Sequence, residues 1–367
     1  MKIVTIIGAR PQFIKAAAFS EIFREKHTEI MIHTGQHYDS NMSDIFFEEL
    51  SIPLPDYNLG VGSGPHGQQT GRMLEQIEAI LIKEKPDGVL VYGDTNSTLA
   101  GALAASKLHI PLYHVEAGLR SYNKMMPEEQ NRVLTDHLAN LLFCPTQTAI
   151  DNLKHEGITK GIVLSGDIMF DSILRNSPIA IQHYDQGRWL TEINQANHLN
   201  LNLTEHNFYL ATIHRAENTD DLDKLNTIFT ALNALDKPVL IPLHPRTKSL
   251  IDKLNLKLTN VFIIEPVGYL LMLYILQNSV MAITDSGGLQ KEAFFLKIPC
   301  TTLRDQTEWI ETLENDWNVL SKIDVSDIIK HVNRDLSNLI TPSILSFGDG
   351  KAALKIAQAI LGEKKND

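Results

Sequence analysis

Cysteine is nearly absent from this chain. In 367 residues there are two, Cys144 and Cys300, far apart in apolar runs, so neither a disulfide framework nor a cysteine-based zinc site is expected. Both read as buried, inert thiols. Positive charge is also scarce: 33 Lys and Arg against 44 Asp and Glu leave a net charge of −11. That balance excludes a general affinity for nucleic acid or anionic membranes, and an anionic ligand has to be met by local cations. No apolar run approaches bilayer-spanning length, and the stretch before Gly8 and Arg10 is too short for the core of a signal peptide. A cytoplasmic protein without a membrane partner is expected. Three motifs are missing as well: the dinucleotide fingerprint G-x-G-x-x-G, the metal-binding H-E-x-x-H and the nucleophile elbow G-x-S-x-G. No nicotinamide or other cofactor, no metal and no serine nucleophile are therefore expected.

What the chain does contain is an α/β rhythm. Hydrophobic residues make up 43% and charged residues 21%, close to the globular average, and the length exceeds what one core organises, so two domains are expected. Short β-branched runs alternate with amphipathic segments, the pattern of βα units and parallel sheets. Strands are predicted over Lys2–Ile7, Ile30–Thr34, Gly88–Tyr92, Leu112–Val115, Leu141–Cys144 and Ile162–Ser165. After a polar, weakly patterned stretch from Asn176 to Glu205, they resume at Phe208–Thr212, Val239–Leu243, Val261–Ile264, Val280–Thr284 and Cys300–Leu303. Helical sequence over Ile168–Arg175 follows a hinge-like Ser165-Gly166-Asp167. The expected division is residues 1–168, 169–348 and a terminal segment 349–367, with a helix over Lys351–Leu361 that packs on either domain.

Ligands of open parallel sheets sit beyond the carboxyl ends of the strands, so polar residues after apolar runs mark candidate sites. The first strand runs into Gly8-Ala9-Arg10-Pro11, where Arg10 and Lys15 flank a helix N-terminus suited to phosphate. Simple solvation of both cations is the alternative. Asp94 follows Val91-Tyr92-Gly93, Glu116 follows Tyr113-His114-Val115, and Glu128 lies in Pro127-Glu128-Glu129 at a helix start. Each carboxylate taken singly reads as a cap or a solvated charge. Three gathered at one sheet edge would raise at least one pKa and favour proton transfer.

The second half offers His214 with Arg215, and His244 before Arg246, at two strand ends that are expected to share a crevice. Its strongest feature is Thr284-Asp285-Ser286-Gly287-Gly288. There the backbone N–H groups of Ser286, Gly287 and Gly288 can approach a pyrophosphate, and Glu292 lies about one turn later, within reach of ribose hydroxyls. A plain helix start is the alternative.

Taken in order, Gly8-Ala9-Arg10-Pro11, Thr34-Gly35-Gln36-His37, Gly93-Asp94-Thr95, the segment from His114 to Arg120, Pro127-Glu128-Glu129 with Asn131-Arg132, His214-Arg215 with Glu217-Asn218, and Thr284 to Gly288 resemble the non-hydrolysing UDP-N-acetylglucosamine 2-epimerases over almost the whole chain. The resemblance implies a GT-B fold, two Rossmann-like domains with an interdomain cleft, acting on a UDP-sugar as a homodimer. It assigns catalysis to Asp94, Glu116, Glu128 and His214. It places Arg10, Lys15 and Arg132 around the substrate and its phosphates, and Ser286, Gly287, Gly288 and Glu292 at the UDP. Arg215 and His244 join the substrate-binding candidates, and Met272 stands where many relatives have Phe near the uracil. Gln36 and His37 lie near a second, allosteric nucleotide site in some relatives. The loop from Arg120 to Pro127 is shorter than the usual family loop and lacks its Tyr-Ser-Pro element. With the segment from His37 to Asp44 it resembles a branch acting on UDP-2,3-diacetamido-2,3-dideoxyglucuronate. Thr95 leans away from the hydrolysing epimerases, which tend to have Arg there. A GT-B glycosyltransferase and a non-catalytic sugar-nucleotide sensor are the competing classes.

Overall fold

The computed structural model describes residues 1–36, 49–50, 52–184, 187–243, 245–254 and 256–363. The chain divides into two compact units, Met1–Leu174 with Leu345–Asp367, and Arg175–Ile344.

The first unit contains β1 (Lys2–Ile7), α1 (Arg10–Arg24), β2 (Thr28–His33), β3 (Tyr57–Asn58), α2 (His66–Glu84), β4 (Gly88–Tyr92), α3 (Asn96–Lys107), β5 (Leu112–Val115), α4 (Pro127–Leu138), β6 (Leu141–Cys144), α5 (Gln147–His155), β7 (Ile162–Leu164) and the first part of α6 (Ile168–Tyr184). Its seven strands lie in the order β3-β2-β1-β4-β5-β6-β7, and every pairing is parallel. A parallel sheet covered on both faces needs continuous apolar runs, and β1 and β4 are buried almost throughout. Helix α3 sits close to the sheet because its inner face is built from small residues. A Cβ on Gly101 would come within 2.6 Å of Ile6 Cδ1 and 3.1 Å of Val91 Cγ1. The strand order reverses between β1 and β4, which makes their carboxyl ends the switch point where ligands of this architecture bind.

The second unit begins with the rest of α6 and holds α7 (Arg188–Asn197), β8 (Tyr209–Thr212), α8 (Ala216–Thr219), α9 (Leu222–Asn233), β9 (Val239–Pro242), α10 (Pro245–Lys253), β10 (Val261–Ile264), α11 (Tyr269–Gln277), β11 (Met281–Thr284), α12 (Gly287–Phe295), β12 (Cys300–Thr302), β13 (Asn318–Leu320) and α13 (Val325–Val332). Its sheet, also all parallel, runs β10-β9-β8-β11-β12-β13, with the reversal between β8 and β11. Helix α14 (Ala352–Glu363) returns to the first unit and packs on α1. The Asp171 carboxylate on α6 fixes its start by accepting from Ala352 N (3.0 Å) and Ala353 N (2.8 Å).

Three features differ from the sequence reading. The helix expected over Ile168–Arg175 continues through Pro178 to Tyr184, and the division of the chain falls inside it, after Leu174 rather than at residue 168. The weakly patterned stretch that follows holds α7, seated by Trp189 and Ile193 at i, i+4, with Trp189 stacked on Phe208 at 5.5 Å. Two further strands, β3 and β13, went unpredicted. They are two and three residues long, too short to show a period.

Candidate active site

At the first switch point a single amide side chain joins two strand ends. Gln12, on the first turn of α1, accepts from Gly8 N (2.7 Å) and Ala9 N (3.1 Å) through Oε1. Its Nε2 donates to Tyr92 O (2.7 Å) and lies 3.1 Å from the hydroxyls of Thr95 and Thr98. Gln12 is 1% exposed. Gly8 is required by packing, since a Cβ there would meet Ser97 Oγ at 2.1 Å and Thr34 Oγ1 at 2.3 Å. Gln12 directly follows the Gly8-Ala9-Arg10-Pro11 motif and had no role assigned to it, and its contacts to residues 80 positions away leave no trace in local spacing.

The expected cations and carboxylates meet as pairs. Lys15 Nζ contacts Glu116 Oε2, both side chains buried. Arg132 Nη2 donates to Asp94 Oδ2 at 2.5 Å, and the Asp94 side chain keeps 32% of its surface exposed. Glu116 has left-handed backbone, φ +69°, flanked along the edge by Gly93 at +62° and Gly118 at +81°. A non-glycine residue in that region carries strain, and the turn lifts Glu116 to the strand end. A Cβ on Gly93 would lie 3.4 Å from Glu116 Oε2 and 3.8 Å from Lys15 Nζ, so the Gly93–Asp94 turn borders the Lys15–Glu116 pair.

The neighbouring glutamates of α4 differ sharply. Glu128 is exposed. Glu129 is buried and accepts from Ser121 N (2.9 Å), Ser121 Oγ (2.9 Å), Tyr122 N (2.8 Å) and Arg132 Nη1 (2.6 Å). Burial alone would raise its pKa, but the Ser121 N–H and the Arg132 guanidinium more than offset this and hold it below the ordinary value. Glu129 thus orients the Arg132 that holds Asp94, a role the sequence motif left unassigned. Asn131 adds a bond to Asp94 O at 2.9 Å and another to Asn96 Oδ1 at 3.2 Å.

Arg10 is the first residue of α1 and is half-buried. Gln36 Oε1 accepts from Ser97 N (3.0 Å) and Ser97 Oγ (2.7 Å) at the start of α3. His37 and His244 lie outside the described residues.

In the second unit, buried Asp285 organises the turn after β8. It accepts from His214 N (3.1 Å), Arg215 N (3.0 Å) and Asn218 Nδ2 (3.0 Å), and lies 3.3 Å from His214 Nδ1. The His214 side chain is left 62% exposed. Arg215 is half-buried, 3.7 Å from Glu217. Ser286 caps α12 by accepting from Leu289 N at 3.3 Å. Ser286, Gly287 and Gly288 remain partly exposed, so this helix start presents N–H groups and the positive end of its dipole. A Cβ on Gly287 would come within 2.6 Å of Glu308 Oε1, which would have to move aside. Glu292 is buried and takes a hydrogen bond from Tyr269; burial first, and the Glu292 charge second, raise the Tyr269 pKa well above its usual value. Met272, on α11, is half-buried. Among the described residues no group of His, Cys, Asp and Glu has the geometry to hold a metal ion, and no helix is long and apolar enough to cross a membrane.

Two all-parallel sheets, each with polar side chains gathered at its switch point, make this an α/β protein of the GT-B type. Within that class the chain belongs to the UDP-N-acetylglucosamine 2-epimerase family, whose model matches residues 21–361. It is 52% identical to the UDP-2,3-diacetamido-2,3-dideoxy-D-glucuronate 2-epimerase of Pseudomonas aeruginosa, over 98% of this chain and 99% of that one. It is 46% identical to a UDP-N-acetylglucosamine 2-epimerase of Methanococcus maripaludis, over 99% of both chains. The structure is similar to that of the Methanocaldococcus jannaschii UDP-GlcNAc 2-epimerase in complex with UDP-GlcNAc and UDP, with a TM-score of 0.88 and 43% identity over 99% of this chain and 100% of that one.

Proposed function

We propose that this chain inverts carbon 2 of a UDP-linked 2-acetamido sugar without hydrolysing it, converting UDP-N-acetylglucosamine to UDP-N-acetylmannosamine for cell-surface polysaccharide synthesis, as a cytoplasmic homodimer. The observation that carries the reading is the edge of the first sheet, where Asp94 and Glu116 follow adjacent strands and each is held by its own buried cation. The C–H bond at carbon 2 is unactivated, so direct deprotonation would build a carbanion with nothing to stabilise it. Elimination of UDP to a glycal, followed by readdition, avoids that charge. It needs one group to take the proton from one face and another to return it on the opposite face. Asp94, Glu116 and Glu128 supply these groups, with His214 assisting proton transfer or charge balance at the phosphate.

The departing diphosphate is stabilised by groups that need no reorganisation. In this reading those are the start of α12 at Ser286, Gly287 and Gly288, with Arg10, Lys15, Arg132, Arg215 and His244. Glu292, oriented by Tyr269, receives the ribose hydroxyls, and Met272 lies by the uracil. In the same reading Gln36 and His37 belong to a second, regulatory nucleotide site.

Proton NMR of UDP-N-acetylglucosamine incubated in D2O with no acceptor sugar tests the reading. Expected are epimerised product and loss of the carbon 2 proton signal through exchange; product that retains its proton rejects elimination. Asp94→Asn and Glu116→Gln are each expected to lower kcat by about 100-fold or more, and near-native turnover in both rejects their roles. A second reading, the same chemistry on UDP-2,3-diacetamido-2,3-dideoxyglucuronate, is favoured by the 52% identity to the Pseudomonas aeruginosa enzyme. Turnover of that nucleotide in place of UDP-N-acetylglucosamine selects it.

A further inference from the structure

Beneath the carboxylate edge lies a buried polar chain that the proposed mechanism does not use. His114, on β5, is 0% exposed. Its Nε2 lies 2.8 Å from Gly93 O, a carbonyl that can only accept, so the ring donates there. Its Nδ1 lies 2.7 Å from Asp136 Oδ1 on α4. The other Asp136 oxygen accepts from Gly118 N (3.1 Å) and from Arg120 Nη1 (2.7 Å). Arg120 in turn donates to both Glu156 oxygens at 2.7 and 2.6 Å. His114 and Asp136 are fully desolvated, and no ligand-facing surface is left to either.

The two ends of this chain are telling. Gly93 O belongs to the peptide that leads into Asp94, and Gly118 N lies two residues beyond Glu116. Both carboxylates stand on turns with left-handed backbone, Gly93 at φ +62° and Glu116 at φ +69°, and such turns persist only where surrounding structure holds them. Sheet pairing ends at Tyr92↔Val115, with one further backbone bond from Gly93 N to Val115 O at 2.9 Å, and beyond it the His114–Asp136 pair ties one turn to the other. An apolar core would have been simpler to build here, because buried polar groups cost stability unless every member is satisfied.

From this we infer that His114, through Asp136, is a positioning residue for the reaction: it fixes the spacing of the Asp94 and Glu116 turns and touches no substrate itself. The inference rests on the reading of those two carboxylates as the acid–base groups. Displacement of such a group by about 1 Å costs on the order of 100-fold in rate, whereas ground-state binding of the nucleotide by the second unit is untouched.

Three variants test it. His114→Asn keeps a donor near Asp136 and loses the reach to Gly93 O; His114→Gln keeps the reach and loses the Asp136 contact; His114→Leu loses both. Each is measured for kcat, KM, UDP affinity and Tm, with Glu116→Gln alongside. Expected is a fall in kcat of about 100-fold for His114→Leu and a smaller fall for each variant that retains one arm. KM is expected to stay within about 3-fold of native, with UDP affinity and the Tm of the Asn and Gln variants near native. Should His114→Leu fail to fold, the Asn and Gln variants carry the test. Native kcat in both of these, or a kcat loss that only follows a loss of folded protein, overturns the inference when Glu116→Gln is inactive. An active Glu116→Gln instead overturns the underlying reading of the carboxylates.

Discussion

Glu128 and Glu129 show how little a residue's name fixes its work. They are adjacent on the first turn of α4, yet one is exposed and the other is buried with four donors around it. Arg132 keeps Asp94 as a partner when Glu129 is neutralised, so the loss is that of the charge-assisted hydrogen bonds converging on a buried carboxylate, about 2 kcal/mol. Glu129→Gln is therefore expected to lower the unfolding free energy by about that amount, as read by urea titration. Glu128→Gln is expected to change it by less than about 0.5 kcal/mol, the usual range for surface substitutions, while lowering kcat through the proposed acid–base role. Equal stability of the two variants would contradict this division. At this scale the sequence was informative about chemistry and silent about partners. Asp94 and Glu116 are recognisable because carboxylates follow the ends of apolar strands, and Arg132 and Lys15 were legible too as candidate phosphate ligands, although the ion pairs they form with those carboxylates were not. Gln12, His114, Asp136 and Glu129 carry no such mark. What they do depends on contacts between residues distant in sequence or on burial, and neither has a local period.

Among the elements, glycines separate two costs that are usually merged. Gly118 and Gly157 both have φ +81°. A Cβ on Gly118 would lie 2.3 Å from the Ala149 carbonyl oxygen, a backbone atom of α5 that cannot swing aside, whereas one on Gly157 would meet nothing within 4 Å. Gly157→Ala is expected to cost only the left-handed backbone penalty, about 1 kcal/mol. Gly118→Ala adds overpacking and is expected to cost about 3 kcal/mol, and to lower kcat as well because its turn carries Glu116. Similar chemical-denaturation midpoints for the two variants would show that α5 yields freely. The same level explains what the sequence could and could not reveal of the fold. Five predicted strands, Lys2–Ile7, Gly88–Tyr92, Leu112–Val115, Leu141–Cys144 and Val261–Ile264, match the structure end to end, since strands buried on both faces announce themselves as apolar runs. Helix α6 runs past its predicted end at Arg175 and through Pro178, a residue that normally interrupts a helix. Helix α7 was missed because its buried face is reduced to Trp189 and Ile193 in an otherwise polar segment.

For the whole molecule, the two cysteines provide one reporter in each unit. Cys144 ends β6 of the first and Cys300 begins β12 of the second, 0% and 1% exposed. Burial pushes the Cys300 thiol up to about 12 and raises that of Cys144 further still, so both are unreactive until their own unit opens. Acid should open the units unequally. Asp136 is fully buried, which alone would raise its pKa, but His114 and Arg120 bring it below the ordinary value, and Glu129 is likewise lowered. A carboxylate whose folded pKa is depressed contributes stability above its unfolded pKa, about 4, and loses that contribution as pH falls through the lower folded value. In the first unit these groups are buried, and the raised pKa of Asp171 opposes them only singly. In the second unit the depressed carboxylates, Asp236, Asp324, Asp327 and Asp335, lie at or near the surface, where screening leaves each little to lose. Below pH of about 4, 4,4′-dithiodipyridine, which reacts with thiols in acid, is therefore expected to label Cys144 before Cys300, with the site read by peptide mass. Labelling of Cys300 first, or of both together at every pH, would mean that the buried carboxylates of the first unit do not govern its acid stability.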